Sequence, residues 1–434
     1  MKILIFIALL ITSAFSYAGN IAREGHYIFD SEKKLIKHIK TQKDLIIDHV
    51  GEYGYEVYGP EGLSLWLKTL GADFKNLNSF KENKLWGRGN WPKFKAVEKQ
   101  IRKLVATYPT ILELVEIGKS EKGNNLLFVK ISDNVKTDEA EPEFKYVANM
   151  HGDEIVGREL MLKLIEDLAK NYGKDQRITD LINNSEIYIM PTLNPDGSDS
   201  QRRSNSKWVD LNRDFPDFTT SDSDNDHSGR ASETMAMMKF QAERKFCFSA
   251  NFHGGAVVVN YPWDTTHTDH PYLGMIKKFS LAYSVENSPM YNSRSYENGI
   301  VNGYQWYEVN GGMQDWSYYY HDDLQVTVEL SDTKWPKYKE VDGFYKDNRE
   351  SLLTYMEFVH QGAGFSSKDM EAGLVEIVDT KGLNHGEFTF SRGEFYKVLP
   401  VGEYIFKIKA RGRDIVEKLF QVTQGDVKNH ILEI

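Results

Sequence analysis

Residues 144–159, FKYVANMHGDEIVGRE, constrain the fold more than any other stretch of the chain. The apolar run at 144–150 reads as a buried strand. Gly152 breaks it, and Leu160, Met161, Leu164, Ile165 and Leu168 then recur at helical spacing. A buried strand that turns straight into a helix is the repeating unit of an α/β sheet, and ligands bind such sheets at the carboxyl ends of strands. His151 and Glu154 fall in that turn. Imidazole and carboxylate are both good zinc ligands, and a three-residue separation across a turn lets them converge on one ion. Taken alone, the pair reads first as a polar helix start with Glu154 near the positive end of the helix dipole.

The rest of the chain extends the α/β pattern. Strands are expected at 112–117, 125–132, 187–191, 246–252 and 325–330, and helices at 94–107, 232–244, 272–283 and 345–360. Strands alternating with helices imply a mixed twisted sheet covered by helices on both faces, here over residues 91–362. Before it, residues 19–90 read as a small α+β module, with strands at 45–50 and 55–58, a helix at 63–70 and a connector at 86–91. After it, the glycine-rich 362–368 reads as a linker. Short alternating runs separated by turns over 368–434 then imply a small all-β sandwich.

Residues 1–18 carry one lysine, an apolar run and a small-x-small site before Gly19, the pattern of a secretory signal peptide; the run is too short to span a bilayer. The single cysteine, Cys247, rules out an intrachain disulfide framework, which for an exported chain fits a bacterial periplasm or medium. With 53 basic and 63 acidic residues and a net charge of −10, the chain has no basic field for nucleic acid, and its partners are expected to be small molecules or peptides. Residues 221–226 space their acids like the start of a calcium loop, but His227 stands where glycine is needed, so a solvated loop is expected.

Further residues of chemical interest lie at or near the ends of expected strands. His253 directly follows the apolar run 246–252 and could join His151 and Glu154 through the fold; three protein ligands plus an open position describe a catalytic zinc. Glu329 lies in an otherwise apolar run, where a carboxylate is costly to bury unless it has a task such as accepting a proton from activated water. Arg203, Asn212 and Arg213 fall in the polar stretch 202–216, where a guanidinium could grip a carboxylate or stabilise an oxyanion. Tyr307 precedes a Gly-Gly pair that would let a loop carry it over a ligand.

Together these stretches resemble the zinc metallocarboxypeptidases related to carboxypeptidase A, and within them the regulatory branch of carboxypeptidases E, N, M and D. The resemblance rests on HGDEIVGRE at 151–159, LNPDG at 193–197, VDLNRDFP at 209–216, NFHGG at 251–255, NYPWD at 260–264, GGMQD at 311–315 and VELS at 328–331. The C-terminal sandwich resembles the transthyretin-like domain of that branch. The resemblance implies one Zn²⁺ per chain held by His151, Glu154 and His253, with Glu329 as general base and Arg203 at the oxyanion. It assigns Asn212, Arg213 and Tyr307 to the substrate's terminal carboxylate, and Asp264 with Gln314 to selection of C-terminal Lys or Arg. The expected partners are peptide or protein C-termini, cleaved by a monomer. Two other readings stay open: a carboxypeptidase for diaminopimelate-containing cell-wall peptides, and an inactive peptide-binding protein. The N-terminal module departs from the branch's usual plan and looks like a pro-domain, and Asp153 stands where the branch commonly has asparagine.

Overall fold

The computed structural model describes residues 21–77, 91–424 and 431–434; the expected leader at 1–18 and most of the connector at 86–91 lie outside the described residues. Its centre is an eight-stranded mixed sheet. In spatial order the strands are Ile300–Asn302, Val257–Tyr261, Leu324–Leu330, Phe246–His253, Glu143–Ala148, Glu186–Met190, Asn125–Ile131 and Leu112–Lys119. The four strands from Leu324–Leu330 to Glu186–Met190 run parallel, and antiparallel pairing begins on either side of them. Successive residues of a strand point to opposite faces. Phe144, Tyr146 and Ala148 accordingly feed one apolar cluster, with Leu160, Phe248 and Leu352, while Val147 feeds another, with Phe128, Met190 and Trp316.

The expected helix at 94–107 spans Phe94–Thr107, burying Phe94, Val97 and Ile101 at helical spacing. Each such fully buried side chain contributes on the order of 1.5–3 kcal/mol. The helix after the metal-ligand turn, Val156–Asn171, is buried along most of its length against the sheet. Among the described residues, no helix is long and apolar enough to cross a membrane.

The N-terminal residues form a separate four-stranded antiparallel sheet in the order Ile46–Asp48, Gly54–Gly59, Glu24–Phe29, Phe74–Asn76, with its own core of Ile28, Ile39, Tyr55, Val57, Leu63 and Leu67. The C-terminal part comprises a four-stranded and a three-stranded sheet. One expectation is corrected here. Residues 362–366 are not a linker but a strand, Gly362–Ser366, paired with Glu394–Val398 and Ile431–Glu433. The glycines that suggested a break are instead required by close approach: a Cβ on Gly362 would lie 2.3 Å from the Lys397 carbonyl, and one on Gly364 2.2 Å from that of Phe395.

Candidate active site

Two strand ends deliver the expected ligand set. His151 follows Glu143–Ala148, Glu154 stands just before Val156–Asn171, and His253 ends Phe246–His253. Glu154 Oε2 lies 3.0 Å from His151 Nδ1 and 2.8 Å from His253 Nδ1, and the two nitrogens are 3.0 Å apart. All three side chains are buried. The outer nitrogen of His151, Nε2, is 3.0 Å from Asp210 Oδ1, so its proton belongs there and Nδ1 turns a lone pair toward Glu154.

The donor set fits a divalent cation. Burial and Arg203 would lower the His151 pKa, yet Glu154 and Asp210 hold it above the ordinary histidine value. Burial would raise Glu154, yet His151 and Lys334 hold it well below the usual carboxylate range. The triangle thus favours positive charge at its centre, which a bound divalent cation would supply. His, Glu and His with room for a fourth ligand is a zinc donor set.

Glu329 lies in Leu324–Leu330, directly opposite His253 in the parallel ladder, and is 3 % exposed. Its Oε2 is buried without a hydrogen-bond partner, so a lone pair is available to a proton donor. Arg203 Nε donates to Asp210 Oδ2 at 2.7 Å, and its Nη1 lies 3.1 Å from His151 Nδ1. One carboxylate, Asp210, therefore orients both a ligand and a cation. Reading the sequence did not single it out, although it stands inside the quoted VDLNRDFP stretch.

Asn212 accepts from the Met313 amide at 3.0 Å, and Arg213 donates from Nη1 to the Asn212 carbonyl at 2.9 Å. Tyr307 caps a short helix, Gly303–Trp306. Its hydroxyl donates to Asp48 of the N-terminal module at 2.5 Å.

Asp264 is buried and lines one cavity with His151, His253, Arg213, Tyr307 and Glu329. Its Oδ1 accepts from Asn260 Nδ2 at 3.0 Å and from Gln314 Nε2 at 2.9 Å. Gln314 is carried by the helix Met313–His321, which begins directly after Gly312. Asp315, the next residue, accepts from the amides of Asp264 and Thr265 at 2.8 and 2.9 Å. Burial pushes Asp264 up to about 7, against the pull of Asn260 and Arg213. Burial and the neighbouring Asp264 push Asp315 well above the carboxylate range.

Asp153 keeps one carboxylate oxygen buried and unpartnered, and burial raises its pKa while Lys334 restrains the rise. In the acidic loop, Arg230 grips Asp222 at 2.7 and 3.0 Å and Ser228 donates to Asp226, so protein groups engage both carboxylates.

A zinc carboxypeptidase family model matches residues 97–351. The chain is 39% identical over 353 residues to human carboxypeptidase D, covering 75% of this chain and 25% of that protein. Against mouse carboxypeptidase M it is 36% identical, covering 73% of this chain and 77% of the relative. It therefore spans about a quarter of the length of the carboxypeptidase D relatives it matches and most of carboxypeptidase M. Its fold is similar to the crystal structure of carboxypeptidase A from Helicoverpa armigera, with a TM-score of 0.61 at 18% identity, covering 78% of this chain and 97% of that one. With a family model matched over more than half its length, and a relative at this identity matched over most of its own, the chain belongs to the zinc carboxypeptidase family.

Proposed function

We propose that the protein hydrolyses the last peptide bond of peptides or proteins, releasing C-terminal Lys or Arg. The observation that carries the catalytic reading is the buried triangle of His151, Glu154 and His253, with the unpartnered carboxylate oxygen of Glu329 one strand away. His151, Glu154 and His253 would hold a zinc ion, which would supply Lewis-acid polarisation of the scissile carbonyl and lower the pKa of a bound water to about 7.

This chain's own groups do the rest. Glu329 takes the proton of the attacking water and returns it to the leaving amine. Arg203, fixed by Asp210, donates to the oxyanion. Asn212, Arg213 and Tyr307 hold the terminal carboxylate, which restricts cleavage to the chain end.

The basic preference is supported by the Asp264 pocket. Gln314 Oε1 and Asn260 Oδ1 are buried there without partners, so the pocket presents acceptors beside a carboxylate and suits a cation rich in N–H donors. The leader expected at 1–18 would carry the enzyme out of the cell, to a periplasm or the medium.

The test pairs zinc content with turnover of peptides ending in Arg, Phe and diaminopimelate, with and without a chelator. Glu329→Gln is expected to retain about one zinc per chain and to lose about 10²–10⁴-fold in kcat. Undiminished turnover in that variant would sink the mechanism. Release of Phe or diaminopimelate in place of Arg would keep the chemistry and discard the specificity.

A further inference from the structure

The helix Met313–His321 gives three hydrogen bonds to the loop that carries Asp264. Gln314 donates to the Asp264 carboxylate, and Asp315 accepts from the amides of Asp264 and Thr265. The seat of this helix therefore fixes the seat of the pocket carboxylate, and part of what seats it comes from outside the catalytic sheet.

The helix closes on Asp322, which adopts φ +59° and turns the chain into the strand Leu324–Leu330. Both carboxylate oxygens of Asp322 accept from Nζ of Lys397. Lys397 belongs to the sandwich strand Glu394–Val398 and is 2 % exposed. Its ammonium stands 4.2 Å from the ring centre of Phe388, 5.4 Å from that of Tyr272 and 5.6 Å from that of Tyr318. The next residue, Asp323, is held separately: it pairs with Lys145 of the strand Glu143–Ala148 and accepts from Gln241 Nε2 at 3.2 Å. Two buried lysines, one from the sandwich and one from the sheet, thus pin adjacent aspartates at one turn.

A second path runs from the same lysine to the pocket. Tyr318 packs on His270 with ring centres 4.1 Å apart and on Trp263 at 5.6 Å, and Trp263 immediately precedes Asp264. Burial and the Lys397 ammonium hold His270 down at about 3, so this stack stays uncharged beside the lysine. The sandwich does not need the ion pair for attachment, since Phe365, Val398 and Leu399 already share an apolar cluster with the catalytic part. A buried ion pair adds little net stability over apolar packing, but it is satisfied in only one geometry.

We infer that Lys397 is a positioning residue for the Asp264 pocket: by clamping Asp322 and backing Tyr318, the C-terminal sandwich fixes the helix that aims Gln314 and Asp315 at residues 264 and 265. The inference rests on the role of Asp264 proposed above. Recognition of the substrate's last side chain then depends on a unit none of whose described residues lines the cavity.

The experiment compares the full chain with Lys397→Met, which keeps an unbranched side chain and removes its charge, and with Asp322→Asn, which removes the other half of the pair while asparagine still tolerates the positive φ. Far-UV circular dichroism checks that each variant is folded. For an Arg-ending peptide kcat and KM are read separately, and amide exchange is read by mass spectrometry over 261–266 and 313–322. In both variants KM is expected to rise about tenfold with kcat within about twofold, and exchange at Asp264 and Thr265 to speed about tenfold. Arg392→Ala, which breaks an exposed pair between the same two parts, is expected to change neither. A parental KM in both variants, or a loss confined to kcat, overturns the inference. Exchange that speeds equally throughout the catalytic sheet also overturns it, because that marks general loosening. If the parent cleaves no Arg-ending peptide, the proposed specificity fails and exchange alone decides: faster exchange at Asp264 and Thr265 in both variants supports the clamp, and unchanged exchange overturns it.

Discussion

The two small units that flank the catalytic sheet are attached by different physics. The C-terminal sandwich shares its core: Phe365, Val398 and Leu399 belong to one continuous apolar cluster with Cys247, Phe358 and Val359 of the catalytic part. The N-terminal module keeps its core to itself and meets the catalytic part chiefly through Asp48, His49, Glu56 and a few main-chain carbonyls. Buried apolar area is non-directional, and no small ligand can replace it. Carboxylate–guanidinium contacts are specific, and another carboxylate can take them over. One flank is therefore fixed and the other exchangeable.

Matched core cuts give the largest expected effect. Leu399→Ala, in the shared cluster, should cost about 2–5 kcal/mol and lower the main thermal transition. Leu67→Ala, in the module's own core, should cost a similar amount but leave the main transition in place. Scanning calorimetry on both variants checks this. A main transition lowered equally by both would break the distinction between the two attachments.

A second test concerns Asp264, which lines the cavity together with Asp48 and His49 of the N-terminal module. With its pKa pushed up to about 7, Asp264 is largely neutral below that pH and anionic above it. KM for an Arg-ending peptide should therefore fall as pH rises through about 7, by up to about tenfold per unit on the acid side. Asp264→Asn should flatten that profile. A flat profile in the parent protein would remove Asp264 from recognition. The smallest expected effect is Arg392→Ala, which removes an exposed 3.1 Å pair between sandwich and catalytic part, with Asp138. Its cost should be under about 1 kcal/mol by denaturant titration. A larger loss would mean that the fixed flank also depends on charge.

Much of the sheet is legible in the chain because a buried strand and an amphipathic helix each impose a period. The 94–107 helix and the 325–330 strand, observed as Leu324–Leu330, follow from such periods. The helix Met313–His321 is not legible: its sequence, MQDWSYYYH, is polar and aromatic, and it buries Gln314 and Asp315 for their hydrogen bonds rather than for apolar area. Lys145 sits fully buried inside a strand because Asp323, far along the chain, neutralises it. The candidate site was legible because its residue types are rare in apolar surroundings, which is why Glu329 drew notice. Asp48 gave no such signal. A lone aspartate in a lysine- and tyrosine-rich module acquires meaning only when the fold brings Arg203 and Tyr307 to it.

Glu329 and His253 face each other as register partners on adjacent parallel strands. The interval between proposed base and metal ligand is thus one interstrand step, about 4.8 Å, measured out by the main-chain ladder rather than by side-chain packing. Loops around the cleft can lengthen, shorten or change sequence, and so retune what the enzyme accepts, without altering that gauge. A one-residue slip of either strand would turn its functional side chain to the opposite face of the sheet. Diversification of the rim and preservation of the chemistry are thereby separable, since they are encoded in different covalent parts of the same polymer.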